Sequence, residues 1–134
     1  MKNLNLILLL FVTVSLFSCA KTNEDTARLL IGRWQLREAL RNDRPTESLA
    51  EMYMEFTADG KLRTNVAGTP EEGTYELKGE QVLQRNISMS ADYKIESIED
   101  ANLVLTTTLR GYAFRFSFTR ANASTTETSE VTSQ

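Results

Sequence analysis

Leu30-Ile31-Gly32-Arg33-Trp34 opens a series of short alternating segments, directly after a polar leader. Trp34 is the only tryptophan among the 134 residues. A glycine two positions before an aromatic residue is weak evidence by itself, since many strands begin with glycine and bury an aromatic side chain. Its value comes from the residues that follow, where apolar and polar side chains alternate as they do in half-buried β-strands.

The alternation predicts strands along most of the remaining chain. In residues 31–40, Trp34, Leu36 and Leu40 share one face. Glu38 has the same parity, which predicts an inward position. There it would contact a ligand or neutralise an internal arginine; in the third alternative it lies near the strand end in water. Further strands are predicted at 52–57, 62–66, 74–77, 81–83, 93–98, 103–109 and 112–120.

Turn residues separate these segments and indicate how they connect. Asp59-Gly60 lies between two alternating runs and favours a hairpin with a primed turn, and Gly79 and Arg110-Gly111 predict two more tight hairpins. Residues 41–48 have no apolar period and contain Pro45, so we expect the longest internal loop there. Because sequential strands usually pair, the predicted fold class is all-β, a small up-and-down antiparallel β-barrel of about eight strands.

The last predicted strand ends with an arginine on an aromatic face. Phe114, Phe116 and Phe118 share that face, and Arg120 has the same parity. A charge in such a position needs a partner, and an indole face offers a cation–π contact of about 0.5 to 2 kcal/mol. We therefore expect Arg120 to lie against Trp34. In the alternative, Arg120 lies past the last inward position and is solvated at the barrel rim.

The N-terminus combines a basic residue, an apolar run and a cysteine. Lys2 precedes an apolar run at 6–17, which is shorter than the roughly 20 residues of a membrane-spanning helix. The run ends in Leu16-Phe17-Ser18-Cys19, which resembles a lipobox, so we expect Cys19 to become a diacylglyceryl cysteine with acyl chains such as palmitate. Cys19 is the only cysteine, and acylation accounts for an unpaired thiol in an exported protein. The alternative is an ordinary thiol behind a plain secretory cleavage site.

These features divide the chain into four parts. We expect a signal peptide at 1–18, a lipidated polar tether at 19–28, a barrel at 29–121 and a disordered polar tail at 122–134. Several acyl chains at one site hold a protein on a membrane without spanning it. Because no aspartate directly follows Cys19, the resemblance to lipoproteins implies the outer membrane, on its periplasmic or its cell-surface side.

Four motifs follow one another in this order behind the lipobox: Ile31-Gly32-Arg33-Trp34, Phe56-Thr57-Ala58-Asp59-Gly60-Lys61, Gly73-Thr74-Tyr75 and Phe118-Thr119-Arg120. With these motifs, residues 29–121 resemble the lipocalin-like lipoprotein domains of Bacteroidetes. The resemblance implies that Gly32, Trp34 and Arg120 close one end of the barrel and that the interior binds a small hydrophobic ligand. No helix is expected on the outside of the barrel.

The predicted inner face supplies the candidate ligand contacts, because methionines and aromatic residues adapt to apolar compounds and stack on them. We expect the mouth at the far end of the first strand, with residues 41–48 as a lid. In the alternative, the same side chains fill the barrel completely, and the protein is a structural or interaction lipoprotein that binds a protein or glycan on its surface. The candidates are Leu36, Met52, Met54, Phe56, Tyr75, Tyr93, Leu105, Phe114 and Phe116.

The composition argues against catalysis and against nucleic-acid binding. The chain has no histidine, which removes the commonest general base, and its carboxylates fall at predicted turns and outward positions, where nothing marks a metal site. Its 15 basic and 18 acidic residues give a net charge of -3 without a basic cluster for a phosphate backbone. We expect a monomeric, non-enzymatic protein without a cofactor.

Overall fold

The computed structural model describes residues 22–121, so the predicted signal peptide, Cys19 and the polar tail lie outside the described residues. Within residues 22–121, no helix has the length and apolar character needed to cross a membrane. This part of the chain forms one helix and nine strands: α1 Asn23–Leu30, β1 Gly32–Arg41, β2 Arg44–Pro45, β3 Tyr53–Phe56, β4 Lys61–Thr64, β5 Glu71–Lys78, β6 Gln81–Arg85, β7 Asp92–Ile98, β8 Asn102–Leu109 and β9 Tyr112–Arg120.

Eight of the strands form a closed antiparallel barrel. β1 pairs with β3, and the strands from β3 to β9 follow one another in chain order. β1 also pairs with β9, so each strand of the ring has a partner on both sides. The two-residue strand β2 lies outside the ring and pairs with the end of β1 through Leu40 and Arg41. The predicted all-β, up-and-down barrel of about eight strands is confirmed.

A β-bulge in β1 changes which of its side chains face the interior. The register against β9 shifts between Leu36 and Glu38. Before the bulge Leu36 is buried, whereas beyond it Ala39 is buried and Glu38 is exposed. One inserted residue moves every later side chain to the opposite face, so the predicted inward positions of Glu38 and Leu40 are wrong. Arg41 lies opposite Phe114 and therefore shares the inner side of the sheet with it.

The connections agree with the predicted hairpins in position but differ in geometry at two places. At residues 57–61 only Gly60 has a positive φ, of +83°, and its N–H donates to the Thr57 carbonyl oxygen at 3.3 Å. This is a type I turn followed by a left-handed glycine, and the predicted primed turn is wrong. Asn42 and Asp43, with φ of +48° and +63°, form a two-residue turn between β1 and β2. The predicted loop at 41–48 therefore begins as a tight hairpin.

Helix α1 covers one end of the barrel, where the sequence predicted a tether and no helix. Thr22 caps it, because its Oγ1 accepts a hydrogen bond from the Asp25 N–H at 3.3 Å and donates one to the Asp25 carboxylate at 2.8 Å. α1 packs against β5 and β7, and Leu30 at its end is fully buried. The large apolar residues of this short helix lie in its last turn. A helix of this length is not stable in isolation, so tertiary packing stabilises it.

The interior of the ring is filled by large side chains. Each contributes about 1.5 to 3 kcal/mol through the burial of its apolar surface. Together with Leu30 of α1 they form one continuous cluster, which also contains Val66 and Leu109. The members at most 1% exposed are Trp34, Met54, Phe56, Leu62, Val82, Tyr93, Leu103, Leu105, Phe116 and Phe118.

Candidate functional site

The helix-covered end of the barrel is closed by Trp34 and Arg120. The two residues lie opposite each other in the pairing of β1 with β9, and the Arg120 Cζ lies 4.2 Å from the centroid of the Trp34 ring. Arg120 also donates hydrogen bonds to the carbonyl oxygens of Leu29, at 2.5 Å, and Ile31, at 2.7 Å. The Trp34 Nε1–H donates to the Leu30 carbonyl oxygen at 2.9 Å. These bonds satisfy carbonyls that the end of a helix leaves without partners.

Gly32 makes room for this closure. Its φ is +126°, a conformation that side-chain-bearing residues rarely adopt. A Cβ at this position would lie 2.6 Å from Nη1 of Arg120. The glycine two residues before Trp34 therefore has a steric reason, since any side chain would displace the guanidinium from the indole.

A cavity of about 240 Å³ lies at the opposite, open end of the barrel. Its apolar side chains come from separate segments that converge around the opening: Leu49 between β2 and β3, Val66 between β4 and β5, Met89 between β6 and β7, Leu109 at the end of β8 and Phe114 in β9. We call this space the mouth cavity. It has the apolar walls that small-molecule sites require, at a size below their usual range of roughly 300 to 1,000 Å³.

The polar rim of the mouth cavity contains two arginines. Arg41 follows the bulge of β1, and Arg110 lies in the turn between β8 and β9. The Arg41 Cζ lies 5.2 Å from the centroid of the Tyr112 ring, within cation–π range. Thr46 and Ser48 supply hydroxyl groups beside them. The mouth cavity therefore combines an apolar floor with cationic and hydroxyl donors at its edge.

A broader groove of about 890 Å³ follows the strands from β6 to β9. Five of its 15 lining residues are charged, including Arg85, which forms an ion pair with Asp92 at 2.6 Å. The groove also reaches Phe114, which it shares with the mouth cavity. This mixed and solvent-open surface is less suited to a compact apolar ligand than the mouth cavity is.

Two polar side chains inside the barrel limit how deep an apolar ligand can lie. Gln84 and Tyr93 are fully buried, and the Gln84 amide and the Tyr93 hydroxyl have no hydrogen-bond partner among residues 22–121. Burial raises the pKa of Tyr93 far above its usual range, so the hydroxyl stays protonated. Buried polar atoms generally need partners. A wholly apolar molecule placed beside them would supply none.

The structure separates the sequence-predicted ligand residues. Phe114 lines the mouth cavity, Tyr93 lines the broader groove, and Met52 lines a cleft beside residues 47–51. Tyr75 is half-buried and donates its hydroxyl to the Thr57 carbonyl oxygen at 2.7 Å. Met54 lies opposite Trp34 in the pairing of β1 with β3, far into the core. The remaining predicted residues, also in the core, are Leu36, Phe56, Leu105 and Phe116.

Sequence reasoning missed most residues of the mouth cavity. Leu49 and Met89 lie in connections, where strand periodicity carries no information about which side chains turn inward. Val66 lies just past β4 and has the inward parity of Leu62 in the predicted strand 62–66, but it was not among the predicted ligand contacts. Arg41 was assigned to the predicted loop 41–48, whereas it ends β1, and only the β1 bulge turns it to the inner side of the sheet. The sequence did hold a signal for the end of β1. Asn42 and Asp43 accept positive φ, and such a pair marks a tight hairpin directly after Arg41.

Comparisons with known proteins agree with the fold. The chain matches no protein-family model and no curated protein sequence. Among solved structures, it is similar to a lipocalin-like protein from Bacteroides uniformis, with a TM-score of 0.53 and 18% identity over 69% of this chain and 99% of that chain. A likeness at this identity shows the fold alone. The barrel is therefore lipocalin-like in architecture, and the proposals below depend on its own residues.

Proposed function

We propose that this protein binds a small, largely apolar ligand in the mouth cavity. The observation that carries the proposal is the convergence of Leu49, Val66, Met89, Leu109 and Phe114, from separate segments, around one opening of about 240 Å³. Covering apolar surface contributes roughly 25 cal/mol per Å² removed from water. A ligand that fills the opening gains this free energy without any rearrangement of the core.

The filled core determines where the ligand lies. Trp34, Phe56 and Phe116 are at most 1% exposed and occupy the space that a deep ligand chamber would need. The ligand therefore binds at the open end, with one apolar ring or chain segment inserted and the remainder toward solvent. This is a non-enzymatic role, and within residues 22–121 no group of three or more His, Cys, Asp or Glu side chains is arranged to hold a metal ion.

Titration with N-phenyl-1-naphthylamine, an uncharged fluorescent probe, tests the proposal. We expect saturable binding to one site, which Met89→Ser weakens because Met89 lines the cavity. Ile87→Ser is the matched control, since Ile87 lies in the same connection and packs on the core without lining the cavity. Absence of saturable binding, or equal losses in the two folded variants, would refute the proposal.

The filled interior also favours a second candidate, a structural or interaction protein. In that case the partner, a protein or a glycan, binds the outer surface, and the charged groove near Arg85 and Asp92 is the surface to test. In that case Arg85→Glu should abolish partner capture. The wild-type protein should not bind the probe in the mouth cavity. The two candidates thus make opposite predictions for N-phenyl-1-naphthylamine.

We also propose that lipid on Cys19 attaches the protein to the outer membrane. The lipobox-like sequence before Cys19 supports this, and Cys19 lies three residues before Thr22, which caps α1. Three residues span at most about 11 Å. The closed end beside α1 would then face the lipid surface, and the mouth cavity would open away from it.

A further inference from the structure

We propose that the ligand of the mouth cavity is an amphiphile with an anionic group, and that Arg41 and Arg110 bind that group. The inference rests on the proposed function, because it concerns the same cavity. It adds the chemical class of the ligand, one apolar segment joined to a carboxylate or a similar anion.

The position of Arg41 is the first argument. The bulge between Leu36 and Glu38 places Arg41 opposite Phe114, on the inner side of the sheet at the mouth. Without the bulge, parity would put Glu38 on this side and a negative charge toward the opening. The irregularity thus replaces a carboxylate with a guanidinium at the entrance, where bulges commonly re-aim side chains.

The absence of ion-pair partners for these cations is the second argument. Within residues 22–121, neither Arg41 nor Arg110 forms an ion pair. Asp43 and Glu47 lie close to Arg41 in sequence. Neither carboxylate is within 4.0 Å of a basic group of residues 22–121. The charge at the rim is therefore available to a ligand.

Other arginines of the barrel provide the comparison. On the outer face, Arg63 contacts Glu72 at 2.7 Å and Arg115 contacts Glu96 at 2.9 Å. Hydrogen bonds from these guanidinium groups hold the pKa of each carboxyl below its usual range. The chain has more acidic than basic residues, so carboxylates are plentiful. Arg41 and Arg110 nevertheless line the apolar cavity without a carboxylate partner among residues 22–121.

The chemistry of guanidinium determines the ligand class. Its planar donors match the two oxygens of a carboxylate or those of a phosphate or sulfate. The Tyr112 ring beside Arg41 restricts the side chain and lowers the entropy that binding would cost. The apolar segment of such a ligand lies against Leu109 and Phe114, and its anionic end lies between Arg41 and Arg110. The ligand thus contacts both the apolar walls and the cationic rim of the cavity.

Chain-matched competitors test this inference. Decanoate and 1-decanol, each below its aggregation concentration, are titrated against bound N-phenyl-1-naphthylamine. We expect decanoate to displace the probe at a concentration roughly tenfold lower than 1-decanol, a modest factor because both arginines are exposed. The preference should shrink between 50 and 500 mM NaCl, since salt screens exposed charges.

The double variant Arg41→Gln/Arg110→Gln should lose the preference for decanoate, read as the ratio of the two displacing concentrations within that variant, and circular dichroism should show that it is folded. Arg44→Gln is the control, because Arg44 is exposed on β2 and does not line the mouth cavity. Equal displacement by the acid and the alcohol overturns the inference and leaves the proposed function standing, as does a preference that survives in the double variant. Failure of the uncharged probe to bind the wild-type protein overturns both the inference and the proposed function.

Discussion

The guanidinium of Arg120 lies over the indole of Trp34, with 4.2 Å between Cζ and the ring centroid, and both side chains hydrogen-bond to the end of α1. One contact thereby joins the first strand of the ring, the last strand and the helix. The positive charge also lies at the C-terminal end of the helix, where the helix dipole favours a cation. Closure of the barrel and placement of α1 are therefore a single structural unit.

Truncation of this unit should be costly and non-additive. We expect Trp34→Ala to lower the free energy of unfolding by about 3 to 5 kcal/mol, as a large core truncation does, and Arg120→Ala to lower it by less. The double variant should lose less than the sum of both, because each single change already removes the shared contact. Urea unfolding followed by circular dichroism measures this. Strictly additive losses would show that the contact contributes nothing.

Substitution of Gly32 separates steric overlap from backbone strain. Gly32→Ala should cost more than Gly68→Ala, although both glycines have positive φ, of +126° and +101°. A Cβ at Gly68 has no atom within 4 Å, whereas at Gly32 it meets Arg120. Strain alone costs roughly 1 to 3 kcal/mol. Thermal unfolding of both variants, and of Gly32→Ala combined with Arg120→Ala, tests this. Equal losses at the two glycines would contradict the steric account.

Acid should destabilise the protein through its surface carboxylates. Hydrogen bonds from Arg63 and Arg115 lower the pKa values of Glu72 and Glu96 in the folded state. A lowered folded pKa contributes stability that is present above the unfolded value, 4.5 for these residues, and lost as pH falls through the folded value. We expect constant stability from about pH 8 to 5.5, since the chain has no histidine, and a decline below about pH 4.5.

Urea titrations at several pH values measure this decline. Glu72→Gln/Glu96→Gln should make the decline shallower, and part of it should remain because hydrogen bonds also lower the pKa values of Asp25 and Asp59. Glu80→Gln is the control, because Glu80 forms no ion pair within residues 22–121. An unchanged acid profile in the double variant would assign the acid sensitivity to other groups.

Membrane attachment should depend on Cys19. We expect Cys19→Ser to abolish acylation and to move the protein from the membrane fraction to the soluble fraction, because the acyl chains supply the anchoring free energy. Fractionation with mass spectrometry of the mature N-terminus measures both effects. Membrane association that persists in the variant without acylation would contradict the anchor.

Much of the barrel was predictable from local pattern. Alternation in residues 103–109, and the turn at Arg110-Gly111, indicate the hairpin of β8 and β9 because side chains of a strand alternate between its faces and a tight turn needs positive φ. The cation–π contact was predictable from the parity of Arg120 with Phe116 and Phe118. These inferences need only neighbours in sequence, and here the tertiary structure agrees with them.

Three features depended on the tertiary structure. The β1 bulge arises from the register of β1 against β9, some eighty residues away, and it alone exchanges Glu38 for Arg41 at the mouth. α1 forms because Leu30 finds a buried position at the end of a closed barrel. The apolar walls of the mouth cavity come from separate connections whose side chains meet only after closure. The sequence alone determined an all-β barrel with a Trp34–Arg120 closure, because local periodicity encodes strands. Register and long-range packing decided where the mouth cavity lies and which side chains line it.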